Sequence, residues 1–522
     1  MTLLAELVGV SQRVGASAAR STKIRELSDF LRALPADEIA IAVHYLSGET
    51  PQGRSGIGYA LLQQASAGAS ASEGSLPLAE IDRALSEIAA LKGSGSAARR
   101  VQGLEHLFSN LTRAEQQFLI ALLVGELRQG ALEGVMTDAI ARAADLRSDH
   151  VRRAVMYAGD LGAVASAALA EGAAGLGRFR LELFSPITPM LAQTAADVEE
   201  ALQRLSGEAA LEVALEWKMD GARIQVHKGA DEVRIFTRTL NDVTAALPEI
   251  VEAVRGFAAQ ELVLDGETIA LDPNGRPLPF QITMRRFGRR LNVGELRREL
   301  PMSAFYFDCL FLDGRSLADR PTSERFAALT QGVPVGLRMP RLTTASPAAG
   351  RAFYEAAIAA GHEGIMAKSL DAPYQAGSRD ARWLKIKRAH TLDLVVLGVE
   401  WGHGRRAGKL SNLHLGALDT ATGEYVMLGK TFKGLTDAML DWQTQQLLRL
   451  ETHRDRWTVY VRPELVVEIA FSDLQASPRY PGRLALRLAR VKRYRDDKPV
   501  VEADTMDTVR KLFAAQSRAP QT

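Results

Sequence analysis

A lysine and an aspartate separated by one residue, with glycine next, are the first candidates for chemistry. Lys218-Met219-Asp220-Gly221 lies between two runs of alternating apolar residues, 211–215 and 222–226. The alternation predicts a strand, a short turn and a second strand, with the lysine at the junction. Apolar packing there would lower the lysine pKa and expose a nucleophilic amine. Taken alone, the motif is more often a surface turn with an ordinary salt-bridged lysine.

Further candidates follow at the ends of predicted strands and beside glycines. They are Arg238, Glu267, Phe307, Glu363, Arg379, Lys385 and Lys387. Each has a plain structural interpretation: Glu267 as a solvated acid where Asp265-Gly266 interrupts an apolar run, Phe307 as a core residue. Together they fit nucleotidyl transfer, which needs carboxylates for Mg²⁺, fixed cations for a triphosphate and an aromatic platform for a purine. In that interpretation Glu267 and Glu363 hold the metal, and Arg379, Lys385 and Lys387 bind the phosphates.

Three kinds of segment must position these residues. Up to about residue 177, apolar residues recur at helical spacing, and Thr112 to Glu115 forms a capping box. Two prolines at 186 and 189 mark a passage into an α+β region, with strands expected at 233–236, 261–264 and 304–312 and helices at 243–258 and 347–360. From about residue 389, short strands at 392–399, 413–418, 424–428, 457–461 and 465–471 predict a small barrel of the oligonucleotide-binding type.

Bulk properties limit the possible classes of protein. At 522 residues the chain is too long for a single core, and its 47% hydrophobic content supplies several. The net charge of +2 does not indicate a nucleic-acid binder, but basic clusters at 285–290 and 478–498 could neutralise phosphates, although a solvated face explains either cluster alone. A single cysteine, Cys309, excludes an intramolecular disulfide and a multi-cysteine zinc site. With no signal peptide or membrane-spanning apolar run expected, we predict a cytoplasmic protein.

In order and content, these motifs resemble those of the ATP-dependent DNA ligases. That family belongs to the covalent nucleotidyltransferases, which include RNA ligases and mRNA capping enzymes. The matching segments are Lys218-Met219-Asp220-Gly221, Arg238, Asp265-Gly266-Glu267, Phe307-Asp308, Glu363-Gly364-Ile365-Met366, Trp383-Leu384-Lys385-Ile386-Lys387 and Leu486-Arg487-Leu488-Ala489-Arg490. The resemblance implies an all-α DNA-binding domain over 1–180, an α+β adenylation domain over 181–388 and a β-barrel OB-fold domain over 389–522.

The resemblance also implies a reaction and its participants. Lys218 would attack ATP and carry AMP to the 5′-phosphate of nicked duplex DNA, before the 3′-hydroxyl seals the strand. Mg²⁺, or Mn²⁺ in its place, would assist, and the enzyme would act as a monomer in the nucleoid region of the cytoplasm.

Individual roles follow from the same resemblance. Glu216 would read adenine, Phe307 would stack on it, Arg223 and Arg238 would hold ribose and phosphate, and Glu267 would meet ribose or metal. Arg487 and Arg490 would orient pyrophosphate. The chain departs from the family at Met219, where an aromatic residue is common, and at Leu488-Ala489, which replace Phe-Pro.

Three alternatives stay open at this level. An RNA ligase or a capping guanylyltransferase would use the same motifs, but neither role requires the long helical region. An NAD-dependent ligase is disfavoured because its four-cysteine zinc site cannot be built from one cysteine. A catalytically silent DNA-binding or scaffold protein is disfavoured because Lys218, Glu267, Glu363, Lys385 and Lys387 are all intact.

Overall fold

The computed structural model describes residues 1–53, 57–127, 133–207, 211–287, 293–375, 379–387, 390–402 and 406–517, without the side chains of 60, 379, 380 and 515–517. The chain divides into two compact units, Met1–Ile386 and Lys387–Thr522. The first unit contains a helical region followed by an α+β region. The second unit is rich in strands.

The helical region confirms the predicted periodicity. Its helices are α1 (Leu4–Ala16), α2 (Arg20–Ala33), α3 (Ile39–Ser47), α4 (Tyr59–Ala65), α5 (Leu78–Ala90), α6 (Ser96–Ser109), α7 (Arg113–Leu123), α8 (Glu133–Ala143), α9 (Ser148–Ala158) and α10 (Leu161–Leu176). The predicted capping box begins α7: Thr112 accepts a hydrogen bond from the Glu115 amide, and the Glu115 carboxylate accepts one of 2.8 Å from the Thr112 amide. The apolar faces of the helices pack into one continuous core.

Strands and helices alternate through the α+β region. Its elements are β1 (Leu191–Thr194), α11 (Val198–Ser206), β2 (Val213–Lys218), β3 (Ala222–Gly229), β4 (Glu232–Thr237), α12 (Pro248–Arg255), β5 (Glu261–Ala270), α13 (Phe280–Met284), α14 (Val293–Glu299), β6 (Met302–Leu312), β7 (Arg315–Ser316), α15 (Thr322–Gly332), β8 (Arg341–Thr344), α16 (Pro347–Ala359), β9 (Gly364–Ser369) and β10 (Arg379–Lys387).

The strands form two five-stranded sheets, and this arrangement positions the candidate lysine. The first sheet has the order β1-β10-β9-β2-β8, and the second sheet has the order β4-β3-β5-β6-β7. The predicted strands on either side of Lys218 are present as β2 and β3, but they belong to different sheets. The three-residue connection after Lys218 therefore crosses from one sheet to the other.

Two predictions about element boundaries are wrong. Asp265-Gly266 does not interrupt a strand, because β5 runs unbroken from Glu261 to Ala270 and only its register with β6 shifts at this point. A Cβ atom on Gly266 would lie 2.8 Å from the Tyr306 ring, so the glycine permits close packing rather than a turn. The helix expected over 243–258 is shorter, since α12 begins at Pro248, where proline suits the first helical position.

The second unit contains all five strands predicted for it, together with further strands and two helices that were not predicted. Its elements are β11 (His390–Trp401), β12 (Leu410–Asp419), β13 (Glu424–Thr431), α17 (Asp437–Arg449), β14 (Glu451–Arg454), β15 (Thr458–Val461), β16 (Val466–Phe471), β17 (Asp473–Ala476), β18 (Leu484–Arg487), β19 (Arg490–Tyr494) and α18 (Met506–Ser517). The long β11 pairs with β15 over one half and with β16 over the other. Within the described ranges, no helix is both long and apolar enough to cross a membrane.

Candidate active site

Strand pairing brings Lys218 and Glu363 together. In the antiparallel pair β2 and β9, Lys218 lies opposite Gly364, and the Glu363 amide donates to the Lys218 carbonyl at 3.0 Å. The Nζ atom of Lys218 lies 2.5 Å from Oε2 of Glu363, and the two side chains are only 22% and 13% exposed. The candidate nucleophile is thus held in an ion pair, partly shielded from water, where the chain leaves one sheet for the other.

The expected direction of the Lys218 pKa is wrong. Burial lowers the pKa of Lys218, as predicted from apolar packing, but the charges of Glu363, Glu267 and Asp220 outweigh burial and raise the pKa above its ordinary value. Glu363, just before β9, and Glu267, within β5, are neighbours that the local sequence around Lys218 does not reveal, whereas Asp220 belongs to the same four-residue motif. At neutral pH the amine therefore carries a proton in this structure.

Glu267 occupies the middle of β5, opposite Arg223 in the antiparallel pair with β3. Burial raises the pKa of Glu267 to about 7, although the positive charges of Lys218 and Arg223 act in the other direction. The expectation of a solvated acid at a strand edge is wrong. Its carboxyl group is instead partly buried and titrates near neutral pH.

Arg223 is anchored by a network that the sequence did not indicate. Its Nε and Nη2 atoms donate to the two oxygens of Asp265 at 2.9 and 2.5 Å, and Nη1 donates to the Met190 carbonyl at 2.6 Å. The Tyr374 hydroxyl donates to Asp265 at 2.7 Å and accepts from the Met190 amide at 3.0 Å. These contacts fix Arg223 at the junction between the Pro-rich passage and the second sheet.

Glu216 is ion-paired with two residues that sequence reasoning missed. It is 1% exposed, its Oε1 accepts a 2.7 Å hydrogen bond from Nε of Arg341, and its Oε2 lies 2.5 Å from Nζ of Lys368. Arg341 belongs to β8 and Lys368 to β9, the strands on either side of β2. The cluster results from the pairing of strands that are distant in sequence, so no local motif predicts it.

Phe307 lies on β6 in the second sheet and is 9% exposed. Nζ of Lys368 lies 4.5 Å from the centroid of its ring, and the Trp383 ring packs edge-on at 6.2 Å between centroids. The ring therefore contributes to the core, in line with the plain structural interpretation. The ring also lies beside Lys368, the cation that binds Glu216. Glu216, the candidate for reading the base, and Phe307, the candidate for stacking on it, are therefore neighbours.

The remaining candidates of the α+β region lie on or directly after its strands. Arg238 is exposed and directly follows β4. Arg379 is the first residue of β10, and its side chain lies outside the described part. Lys385 and Lys387 are half-buried on β10, where they alternate with the buried Leu384 and Ile386.

In the second unit, Arg487 and Arg490 occupy different surroundings. Nη1 of Arg487 lies 3.0 Å from Oδ2 of Asp473, across the β17–β18 pair. Arg490 is exposed at the start of β19. Between them Leu488 is 56% exposed and has a φ of 56°, a backbone conformation that leucine rarely adopts.

The two predicted basic clusters are less available to phosphates than their composition suggests. Arg286 is 1% exposed and donates to Glu249 at 2.7 Å, so it stabilises the core and does not face a ligand. Residues 288–290 of that cluster lie outside the described part. In the second cluster, Arg493, Arg495 and Lys498 form ion pairs with nearby carboxylates.

The chain combines three parts: a helical region, a two-sheet domain with a lysine between carboxylates, and a strand-rich unit. This is the layout of a three-domain nucleotidyltransferase. Comparison with protein families narrows this class to the DNA ligases. The model of the DNA ligase N terminus matches residues 57–141, that of the ATP dependent DNA ligase domain matches 189–387, and that of the ATP dependent DNA ligase C terminal region matches 406–498.

Similar proteins agree with the family models. A "Probable DNA ligase" of Anaeromyxobacter dehalogenans (strain 2CP-C) is 58% identical, covering 98% of this chain and 99% of that protein. Another "Probable DNA ligase", from Mycolicibacterium gilvum (strain PYR-GCK), is 54% identical with the same coverage of both chains. A solved structure titled "Pmar-Lig_PreS3" covers 94% of this chain and 99% of its own at 15% identity and a TM-score of 0.60, which shows a likeness of fold. The chain belongs to the ATP-dependent DNA ligase family.

Proposed function

We propose that this enzyme seals nicks in duplex DNA through an AMP group carried on Lys218. The Lys218 amine attacks the α-phosphorus of ATP, an N–P bond forms, and pyrophosphate leaves. An oxygen of the 5′-phosphate at the nick then attacks the AMP phosphorus and releases the lysine. Finally the 3′-hydroxyl attacks the 5′-phosphorus, the phosphodiester forms, and AMP leaves. The observation that carries the proposal is the Lys218–Glu363 ion pair, 2.5 Å long, where the chain crosses between two sheets.

The nucleotide would occupy the space beside this pair. Glu216 would accept from the adenine amino group, and Phe307 would face the purine ring. Arg223 would support the site from its fixed position against Asp265, and could meet the ribose. The remaining cations would neutralise phosphate charge as it moves toward the leaving group. They are Arg238, Arg379, Lys385 and Lys387.

Glu267 and Glu363 suit Mg²⁺, and also Mn²⁺, by the chemistry of their donors. Magnesium prefers oxygen ligands and commonly uses one or two carboxylates together with substrate phosphates. Both carboxylates act electrostatically on the same lysine, so they face a shared region. When bound, the metal would supply positive charge to the phosphate oxygens. Before it can attack, Lys218 must release its proton, and Glu363 is the carboxylate in direct contact with it.

The other two regions would hold the DNA. We assign residues 1–180 to a DNA-binding domain, 181–388 to the adenylation domain and 389–522 to an OB-fold domain whose Arg487 and Arg490 would orient pyrophosphate. The first and last of these domains would contact the sugar-phosphate backbone of the DNA. Such contacts position a protein on the duplex without reading its base sequence. We further propose that the enzyme works as a monomer in the cytoplasm, where its DNA substrate lies.

The test uses ATP labelled at the α-phosphate, with Mg²⁺, to look for a labelled polypeptide. The full-length protein should acquire the label, and Lys218→Ala should not. Lys228→Met is the matched control, because Lys228 is another buried lysine nearby whose Nζ donates to a backbone carbonyl, and it should keep the label. Labelling of Lys218→Ala would show that the assigned nucleophile is wrong.

A chase separates the reactions open to this superfamily. Nicked DNA added to the labelled enzyme should remove the label and yield a sealed strand with release of AMP. Loss of the label only with nicked RNA would favour an RNA ligase, and labelling by GTP in preference to ATP would favour a capping activity. A labelled enzyme that transfers AMP to neither substrate would contradict nick sealing.

A further inference from the structure

Glu216 and Phe307 come from different sheets, yet the same two cations contact both residues. We propose that Arg341 and Lys368 are positioning residues that set the base selectivity of the nucleotide site by holding Glu216 in place against Phe307. The inference rests on the proposed function, in which Glu216 reads the base during transfer of AMP to Lys218.

Arg341 reaches both partners with one guanidinium group. It lies directly opposite Glu216 in the β2–β8 pair, and its Nε and Nη2 atoms donate to Oε1 of that carboxylate. Nη2 also donates to the Phe307 carbonyl at 3.2 Å. The guanidinium lies over the ring of Phe326, which restricts its movement. Arg341 therefore couples the position of the carboxylate in one sheet to the backbone of the other sheet.

Lys368 binds the second oxygen of the same carboxylate. Its Nζ atom is 2.5 Å from Oε2 of Glu216, and its side chain is 1% exposed. The ammonium group also lies 4.5 Å from the centroid of the Phe307 ring and 4.2 Å from that of Trp383. Removal of either cation would leave part of a buried carboxylate charge unpaired, which proteins rarely tolerate without rearrangement.

The chemistry of the carboxylate explains why this pairing matters for selectivity. An ionised carboxylate can only accept hydrogen bonds, and Oε2 of Glu216 keeps a lone pair beyond the one used by Lys368, whereas Oε1 already accepts from two nitrogens of Arg341. The carboxylate can thus accept from the 6-amino group of adenine, whereas the 6-oxo group of guanine or hypoxanthine would bring two acceptors together. A carboxyl group that has lost a cation can rotate, or carry a proton and donate to a 6-oxo group. Selectivity would then fall.

The experiment compares ATP with ITP, which differs at the 6-position of the purine. Rates of labelled-enzyme formation give kcat/KM for each nucleotide in the full-length protein and in Arg341→Met and Lys368→Met. We expect the ATP-to-ITP ratio of kcat/KM to fall at least tenfold in both variants. The KM for ATP should rise more than the saturating rate falls, because base positioning is lost while the reacting groups are retained. Arg341→Lys, which keeps the charge but not the forked geometry, should give an intermediate ratio.

Arg286→Met is the matched control, because Arg286 is a buried arginine paired with Glu249 elsewhere in the same unit. It should lower the thermal unfolding midpoint without changing the ATP-to-ITP ratio. An unchanged ratio in Arg341→Lys and in whichever methionine variants fold would overturn the inference. If the unaltered protein forms no labelled enzyme with ATP, the proposed function itself has failed, and the two failures are distinguishable.

Discussion

Gly221 lies so close to Glu267 that a Cβ atom on the glycine would be 3.0 Å from Cγ of the glutamate, with the Thr268 carbonyl oxygen closer still. The turn that follows Lys218 is therefore pressed against β5. This contact places the carboxylate of Glu267 where its charge acts on the lysine. Position 221 of the motif therefore requires glycine for steric reasons, separate from any need for an unusual backbone angle.

Substituting Gly221 by alanine should test this contact. The added methyl group must displace β5 or the turn, which typically costs about 1–3 kcal/mol and would shift Glu267 relative to Lys218. We expect a lower unfolding midpoint in urea and at least a tenfold slower formation of labelled enzyme. Gly336→Ala is the control, because no atom lies within 4 Å of a Cβ atom at that position. Equal behaviour of the two variants would contradict the steric explanation.

Glu363→Gln should weaken the binding of the metal that we propose for this site. The amide keeps the size of the side chain but loses the charge that attracts Mg²⁺ and that holds Lys218. We expect the Mg²⁺ concentration for half-maximal labelling to rise at least tenfold, and chelation by EDTA to abolish labelling of the unaltered protein. Glu355→Gln, on the exposed side of α16, should leave the Mg²⁺ titration unchanged. A normal Mg²⁺ midpoint in Glu363→Gln would remove this residue from the metal site.

His227 should make the stability of the first unit depend on pH. Its Nδ1 accepts from the Phe184 amide at 3.0 Å, so Nε2 carries the hydrogen and donates to Gln225 at 2.9 Å. Burial lowers the pKa of His227 to about 3. Because this is below the value of about 6.5 expected in the unfolded chain, the unfolded state binds more protons between these two values. The contribution to stability is present above about pH 6.5 and lost on acidification, by up to about 1.4 kcal/mol per pH unit.

Urea unfolding of His227→Gln at several pH values would measure this contribution. The variant should be less stable at pH 8, and its difference from the unaltered protein should shrink between pH 6.5 and pH 5. His106→Gln, at an exposed position on α6, is the control for replacing a histidine by glutamine. Parallel stability curves for His227→Gln and the unaltered protein would show that burial does not lower the pKa of His227 as expected.

Binding to nicked DNA should weaken steeply as salt rises, because each phosphate contact releases counterions. In the second basic cluster Lys492 is exposed, and replacing it with glutamine should reduce the slope of log affinity against log salt by about 1. Arg462→Gln is the control, because that guanidinium is paired with Glu464. Fluorescence anisotropy of a labelled nicked duplex provides the measurement. A flat salt response would mean that these clusters do not hold the DNA.

Local patterns were sufficient to predict much of the fold. The helical spacing before residue 177, the capping box at Thr112 and the strands on either side of Lys218 are all present, because periodicity and capping depend on neighbours in sequence. The errors have two different causes. The helix near Pro248 is shorter than predicted because proline suits the first helical position, which is a local signal. By contrast, β5 passes through Asp265-Gly266 because packing against β6, a distant contact, favours a continuous strand there.

By itself, the sequence determined which residue types could perform nucleotidyl transfer, in what order they occur, and which helices and strands carry them. Only the tertiary structure decided their electrostatic state. It surrounds Lys218 with carboxylates from other strands and so raises a pKa that local packing alone would lower, it buries Arg286 away from any phosphate, and it pairs Glu216 with Arg341 and Lys368. The physical reason is that charge interactions depend on distance in space, and strands far apart in the chain set that distance.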